Sequence, residues 1–174
     1  MTKTINLGVL GIDHGHIFDM LDEMLKEGCS CNYFWTEGSP LTLDEFKKRY
    51  PQIKKVDNKS DILNDDTIDM ILISSIPKDR ANLSIDAMRA GKDVMVDKPG
   101  CTTLEQLNNL KQTVKDTGKI WSINFSERFH VAAVTKAEEL VAEGKIGKVK
   151  HTIGTGPHRQ GNYERPDWFY DRNS

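Results

Sequence analysis

Two linked segments decide the fold: Asp69-Met-Ile-Leu-Ile-Ser-Ser-Ile-Pro77, then Ala87-Met-Arg-Ala-Gly91-Lys-Asp-Val-Met-Val-Asp97-Lys98-Pro99. The core of the first, Met70-Ile-Leu-Ile73, is an unbroken apolar run rather than an alternating one, which reads as a strand buried on both faces. Proline ends that run, a helix is expected over 80–90, Gly91 stops it, and a second strand is expected over 93–96. Strand, helix and strand in this order form a parallel crossover unit.

The same alternation extends in both directions. Strands are expected at 5–10, 32–36, 53–56 and 120–123. Ile17, Met20, Leu21, Met24 and Leu25 fall on one helical face, closed by Gly28. Thr42-x-x-Glu45 and Thr102-x-x-Glu105 have the capping-box pattern, and the second should open a helix that turns Leu104, Leu107, Leu110 and Val114 inward. A further helix is expected at 132–143 and a strand at 149–153; the periodicity then fades into a tail rich in aromatic and charged residues. The fold class is α/β, a doubly wound, mostly parallel sheet over 1–123, with the start of a second, α+β domain over 124–174.

Composition narrows the partners. The 174 residues carry a net charge of -2, 37% apolar and 29% charged side chains. That balance points away from nucleic acid and membrane, and toward a small-molecule ligand, with a homo-oligomer allowed for. Lys145, Lys148 and Lys150 read as a solvated edge. Cys29, Cys31 and Cys101 lack metal-type spacing and read as reduced thiols of a cytoplasmic protein. No signal peptide or membrane-length apolar run is expected.

The turn after the first strand is Gly8-Val-Leu-Gly11-Ile-Asp13-His14-Gly15-His16. A dinucleotide-binding turn uses three glycines: for tightness, for approach of the pyrophosphate, and for helix packing. Gly11 holds the first place, but Asp13 and His16 hold the others, so a plain helix cap at Asp13 competes with the dinucleotide reading. A carboxylate ~5 Å from a phosphate charge costs about 3 kcal/mol at an effective dielectric of ~20. A protonated His14 or His16 offsets this, or Asp13 turns away. His14, His16 and Asp13 as a metal site are set aside, because no third, distant ligand is in view. His130 reads as structural.

Together, these pieces resemble the Gfo/Idh/MocA oxidoreductases. The likeness rests on the strand-to-proline turn at 69–77, the Ala-Gly-Lys helix end, Asp97-Lys98-Pro99 (where the family has Glu-Lys-Pro), Gly8 to Gly15, Asn124 to Arg128, Glu143-Gly-Lys-Ile-Gly147, and 166–172. It implies a Rossmann-type domain, NAD rather than NADP as cofactor, and hydride transfer on a sugar, polyol or similar hydroxyl compound. Lys98 is implied as the catalytic residue, a base or hydrogen-bond donor to the reacting oxygen, against a plain surface lysine at a strand end. Gly11, Ile12, Asp13, His14, Gly15, Glu37, Ser74, Ser75, Pro77, Asp97, Lys98, Asn124 and Arg128 are implied around the cofactor, and His158, Arg159 and Trp168 near the substrate. Glu37 meets the family's ribose-binding acid when Arg49-Tyr50 is matched to a similar pair there; otherwise it is an exposed loop glutamate. Arg80 stands where the family has histidine. The family's later Gly-Gly segment and Asp…His pair lie beyond Ser174, so this chain is expected not to turn over substrate, and Tyr163, Trp168, Phe169 and Tyr170 are expected to lose their packing partner. The rival is a non-catalytic nucleotide-binding protein or degenerate remnant.

Overall fold

The structure is a computed structural model, which describes residues 4–126, 128, 131–156 and 165–174. His130, His158, Arg159 and Tyr163 lie outside the described residues. Two compact units are present: Met1–Asn124 with Pro166–Ser174, and Phe125–Arg165.

The first unit is built on six strands: β1 (Asn6–Leu10), β2 (Ser30–Trp35), β3 (Lys54–Lys55), β4 (Met70–Ile73), β5 (Asp93–Asp97) and β6 (Trp121–Asn124). Their order is β3-β2-β1-β4-β5-β6, with every neighbouring pair parallel. The order reverses direction between β1 and β4. In open α/β sheets the ligand crevice lies at that switch, beyond the carboxyl ends of the strands.

Helices α1 (His16–Lys26), α2 (Leu43–Arg49), α3 (Lys59–Leu63), α4 (Pro77–Arg89) and α5 (Leu104–Thr117) cover the sheet. Successive side chains of a strand face opposite ways, so the core divides in two. Leu7 and Val9 of β1 and Leu72 of β4 pack with Ile17, Met20 and Leu21 of α1, Phe34 and Phe46. Leu10, Ile71, Ile73, Val94 and Val96 face the other way, onto Ile62, Ala81, Ile85, Met88 and Leu110. The uninterrupted apolar run at 70–73 is thus a central strand with a buried layer on each side.

Several expectations are corrected. Thr42 caps α2 without a side-chain hydrogen bond; its hydroxyl donates instead to the Ile12 carbonyl, tying α2 to the turn after β1. The α5 cap is one residue late: Thr103 Oγ1 accepts from Gln106 N (3.1 Å), and Gln106 Oε1 accepts from Thr102 N (2.8 Å). Leu104 therefore starts the helix at 78% exposure rather than facing inward, while Leu110 is fully buried. Helix α4 begins earlier than expected, with Pro77 in its first turn, where the missing N–H costs nothing. Residues 149–153 form no strand.

The second unit contains α6 (Ala132–Ala142). Arg128 pairs there with Glu138, and Lys136 with Glu139 at 2.8 Å. No helix among the described residues is long and apolar enough to cross a membrane.

Candidate functional site

The turn after β1 is locked by its neighbours. Gly11 N donates to the Trp35 carbonyl at the end of β2 (2.7 Å), and Ser74 N, after β4, donates to the Gly11 carbonyl (3.2 Å). His14 N donates to the Ser74 carbonyl and Ser74 Oγ to the His14 carbonyl, both at 3.0 Å. Gly11 has φ of 78°, and a Cβ there would lie 2.4 Å from Ser75 Cβ and 2.8 Å from Ser75 Cα. Glycine is needed both for the left-handed backbone and for the close approach of the Ser75 loop.

The helix N-terminus behind this turn is not capped by Asp13. Gly15 is the cap residue of α1, without a side-chain bond. Burial, opposed by the Asp13 backbone N–H and the Arg80 charge and reinforced by the charges of Asp79 and Glu37, pushes the Asp13 pKa up to about 6. Asp13 lines a cleft with Gly11, Trp35, Glu37, Ser75 and Asp79. Of the expected cofactor residues, Gly11, Asp13, Glu37 and Ser75 thus meet in one cleft. It is lined by three carboxylates, and Asp79, from the first turn of α4, is the one that sequence reasoning missed.

A second group converges on the end of β5. Asp97 is fully buried. His16 Nδ1 donates to Asp97 Oδ1 (2.7 Å), and Asp97 Oδ2 lies 3.0 Å from Arg80 Nη2 and 3.3 Å from His14 Nδ1. Arg80, 1% exposed, also donates from Nε to the Ser75 carbonyl (2.8 Å), and from Nη1 to the carbonyls of Asp97 (3.2 Å), Lys98 (2.6 Å) and Pro99 (3.3 Å). One guanidinium therefore holds both the loop after β4 and the turn that carries Lys98.

Protonation follows from this arrangement. Burial works against ionised Asp97, but the His16 hydrogen bond and the Arg80 charge hold its pKa below the ordinary value. Burial and the neighbouring His16 lower His14 to about 4, against the pull of Asp97. His14 is then neutral at pH 7, which agrees with its Nδ1 accepting from His16 N at 3.3 Å. His14 thus brings no positive charge to the turn at that pH, and His16 is turned toward Asp97.

Asp97 also supplies the third, distant ligand whose lack argued against a metal: possible ligand atoms of His14, His16 and Asp97 lie within 4.8 Å of one another. Arg80 already balances the Asp97 charge at 3.0 Å, and a divalent ion there would face that guanidinium. The cluster is a buried charge network in this structure.

Asn124 ends β6 in register with Asp97. Trp168 sits in a short 3-10 turn (Asp167–Phe169), its ring 6.3 Å from that of His14. The tail expected to lose its packing thus belongs, over Pro166–Ser174, to the first unit. Arg128 lies in the second unit with Glu138.

Residues 42–125 match the family model described as "Oxidoreductase family, NAD-binding Rossmann fold". The uncharacterised oxidoreductase YdgJ of Escherichia coli is 32% identical over 157 residues, covering 87% of this chain and 42% of that protein. A scyllo-inositol 2-dehydrogenase (NAD(+)) of Bacillus subtilis is 32% identical over 88 residues, 51% of this chain and 25% of its own. A solved structure from Erwinia carotovora atroseptica, classed provisionally as an oxidoreductase, superposes with a TM-score of 0.92 at 35% identity, over 98% of this chain and 50% of that one. The chain spans half or less of the length of these relatives. Sheet order, carboxyl-edge cleft and sequence likeness agree: the chain belongs to the Gfo/Idh/MocA oxidoreductase family and carries its NAD-binding Rossmann fold.

Proposed function

We propose that this chain binds NAD along the carboxyl edge of its sheet and serves an oxidoreductase acting on a sugar, polyol or related hydroxyl compound in the cytoplasm. The observation that carries this reading is that the Gly11 turn, Glu37 after β2 and Lys98 after β5 all stand at that one edge, around the β1/β4 switch. Relatives named for NAD(+), for NADP(+) and for inositol or anhydro-sugar substrates support the substrate class while leaving both cofactors in play.

The residues present fit the adenosine end of a dinucleotide. Glu37, beside Gly11 and Ser75 in the cleft, would accept hydrogen bonds from the ribose hydroxyls. A 2′-phosphate would meet both Glu37 and Asp79. The pyrophosphate position fits less well, because Asp13 replaces glycine there.

When bound, nicotinamide supplies the hydride acceptor. Lys98 would orient the substrate hydroxyl and take or share its proton as the carbon is oxidised. Arg80 fixes the backbone that presents Lys98, Asp97 neutralises Arg80, and Asn124 ends the adjacent strand. The second reading, a nucleotide-binding protein without turnover, is favoured by Asp13 and His16 in the two glycine positions.

Calorimetric titration with both cofactors tests the proposal. NAD+ is expected to bind at least tenfold more tightly than NADP+, and Glu37→Ser to narrow that ratio. Tighter binding of NADP+ by the unaltered chain would contradict the assignment of Glu37.

A further inference from the structure

We infer that Asp13 guards the pyrophosphate end of the cleft and takes up one proton when a dinucleotide binds. The inference rests on the dinucleotide reading above.

Asp13 occupies the place in the turn where glycine lets a pyrophosphate touch the backbone. Anions at such turns are held by outward backbone N–H groups at the helix start. Here Asp13 lines the cleft beside Gly11 and Ser75, so its carboxylate and a phosphate would compete for the same space.

The surroundings make a shared negative charge costly. Glu37 after β2 and Asp79 on α4 line the same cleft. The basic groups nearby are already committed. Arg80 on α4 is bound to Asp97 and to four backbone carbonyls. His16 on α1 donates to Asp97, and His14 is neutral at pH 7. Lys98, whose charge reaches His14, lies on the β5 side of the site.

A proton on Asp13 relieves the conflict at least cost. It removes one of three carboxylate charges and converts an acceptor into a donor facing a phosphate oxygen. Burial has prepared the group for this, since the free carboxyl already titrates at about 6. The proton passes from the buffer to Asp13, and no bond of the ligand is broken. The sign follows from linkage. The bound phosphate raises the pKa of Asp13 further, so binding takes up a proton between the free and the bound values. Affinity then falls as pH rises through that window, by up to about tenfold per pH unit.

The test is calorimetric titration of the chain with NAD+ at pH 7, in buffers of different ionisation enthalpy, which counts protons directly. Uptake of more than half a proton per NAD+ bound is expected. The dissociation constant should rise by roughly tenfold or more from pH 6 to pH 8. Asp13→Asn should bind with no net uptake and a flat pH profile, and Asp13→Gly, which restores the usual turn residue, should behave alike. Binding by the unaltered chain without proton uptake would overturn the inference, because it would mean that the carboxylate swings aside still charged. Undiminished uptake in both variants would also overturn it, by placing the proton elsewhere. If neither the unaltered chain nor the variants bound NAD+ at pH 6, the dinucleotide reading would fall first and the inference with it.

Discussion

Arg80 and Asp97 form the most deeply buried ion pair among the described residues. A buried carboxylate is tolerable only with a close cationic partner and hydrogen bonds. Asp97 has Arg80 at 3.0 Å and His16 at 2.7 Å, and Arg80 in turn satisfies four carbonyls. Arg80→Met strips the ion pair and the four carbonyl bonds at once and leaves buried Asp97 with only its histidine neighbours, at an expected cost of about 3–5 kcal/mol. Chemical denaturation checks it. A loss below about 1 kcal/mol would mean that the network contributes little. The network was not legible in the sequence. Arg80 read only as a departure from the family's histidine, because its partners Ser75 and Asp97, and the His16 that bonds Asp97, come from separate segments that only the sheet brings together. Asp97 and Lys98 were legible as a motif, whereas the charge network behind them was not. Glu37 was legible as an acid after the second strand, but the companion acid Asp79 was hidden in the first turn of a helix expected to start at 80.

At the scale of elements, the central strands and helices were readable because their apolar patterns are long and strong. Boundaries were less so, since local chemistry allows neighbours to compete. Thr102 and Thr103 are both capable caps, and the one that wins is the one whose register buries Leu110 and leaves Leu104 outside. Residues 149–153 have strand-like composition but no partner strand among the described residues, and a strand without a partner leaves its backbone groups unpaired. The turn between β1 and α1 is the element with least tolerance. Gly11→Ala places a methyl group against Ser75 Cα and Cβ in a left-handed backbone. The conformational strain alone is about 1–2 kcal/mol, and the clash adds to it. Thermal unfolding should register a lower midpoint, and NAD+ affinity should fall with it as the Ser75 loop is displaced. An unchanged midpoint would show that the turn can open without cost.

For the whole molecule, the sheet order places every proposed contact of the first unit on one edge. Gly11, Glu37, Ser74 and Lys98 follow β1, β2, β4 and β5 at their carboxyl ends, Asn124 is the last residue of β6, and none lies at the amino end. Pro166–Ser174 adds Trp168 beside His14 in the same unit. A dinucleotide bound as proposed would lie along this edge, and titration of the 15N-labelled chain with NAD+, followed by amide chemical shifts, locates it. The largest shifts are expected on Gly11, Ile12, Asp13, Glu37, Ser74 and Ser75, with smaller ones at Asp97 and Lys98. Shifts confined to the amino-terminal edge, around Asn6, Ser30, Asp69 and Asp93, would contradict that placement.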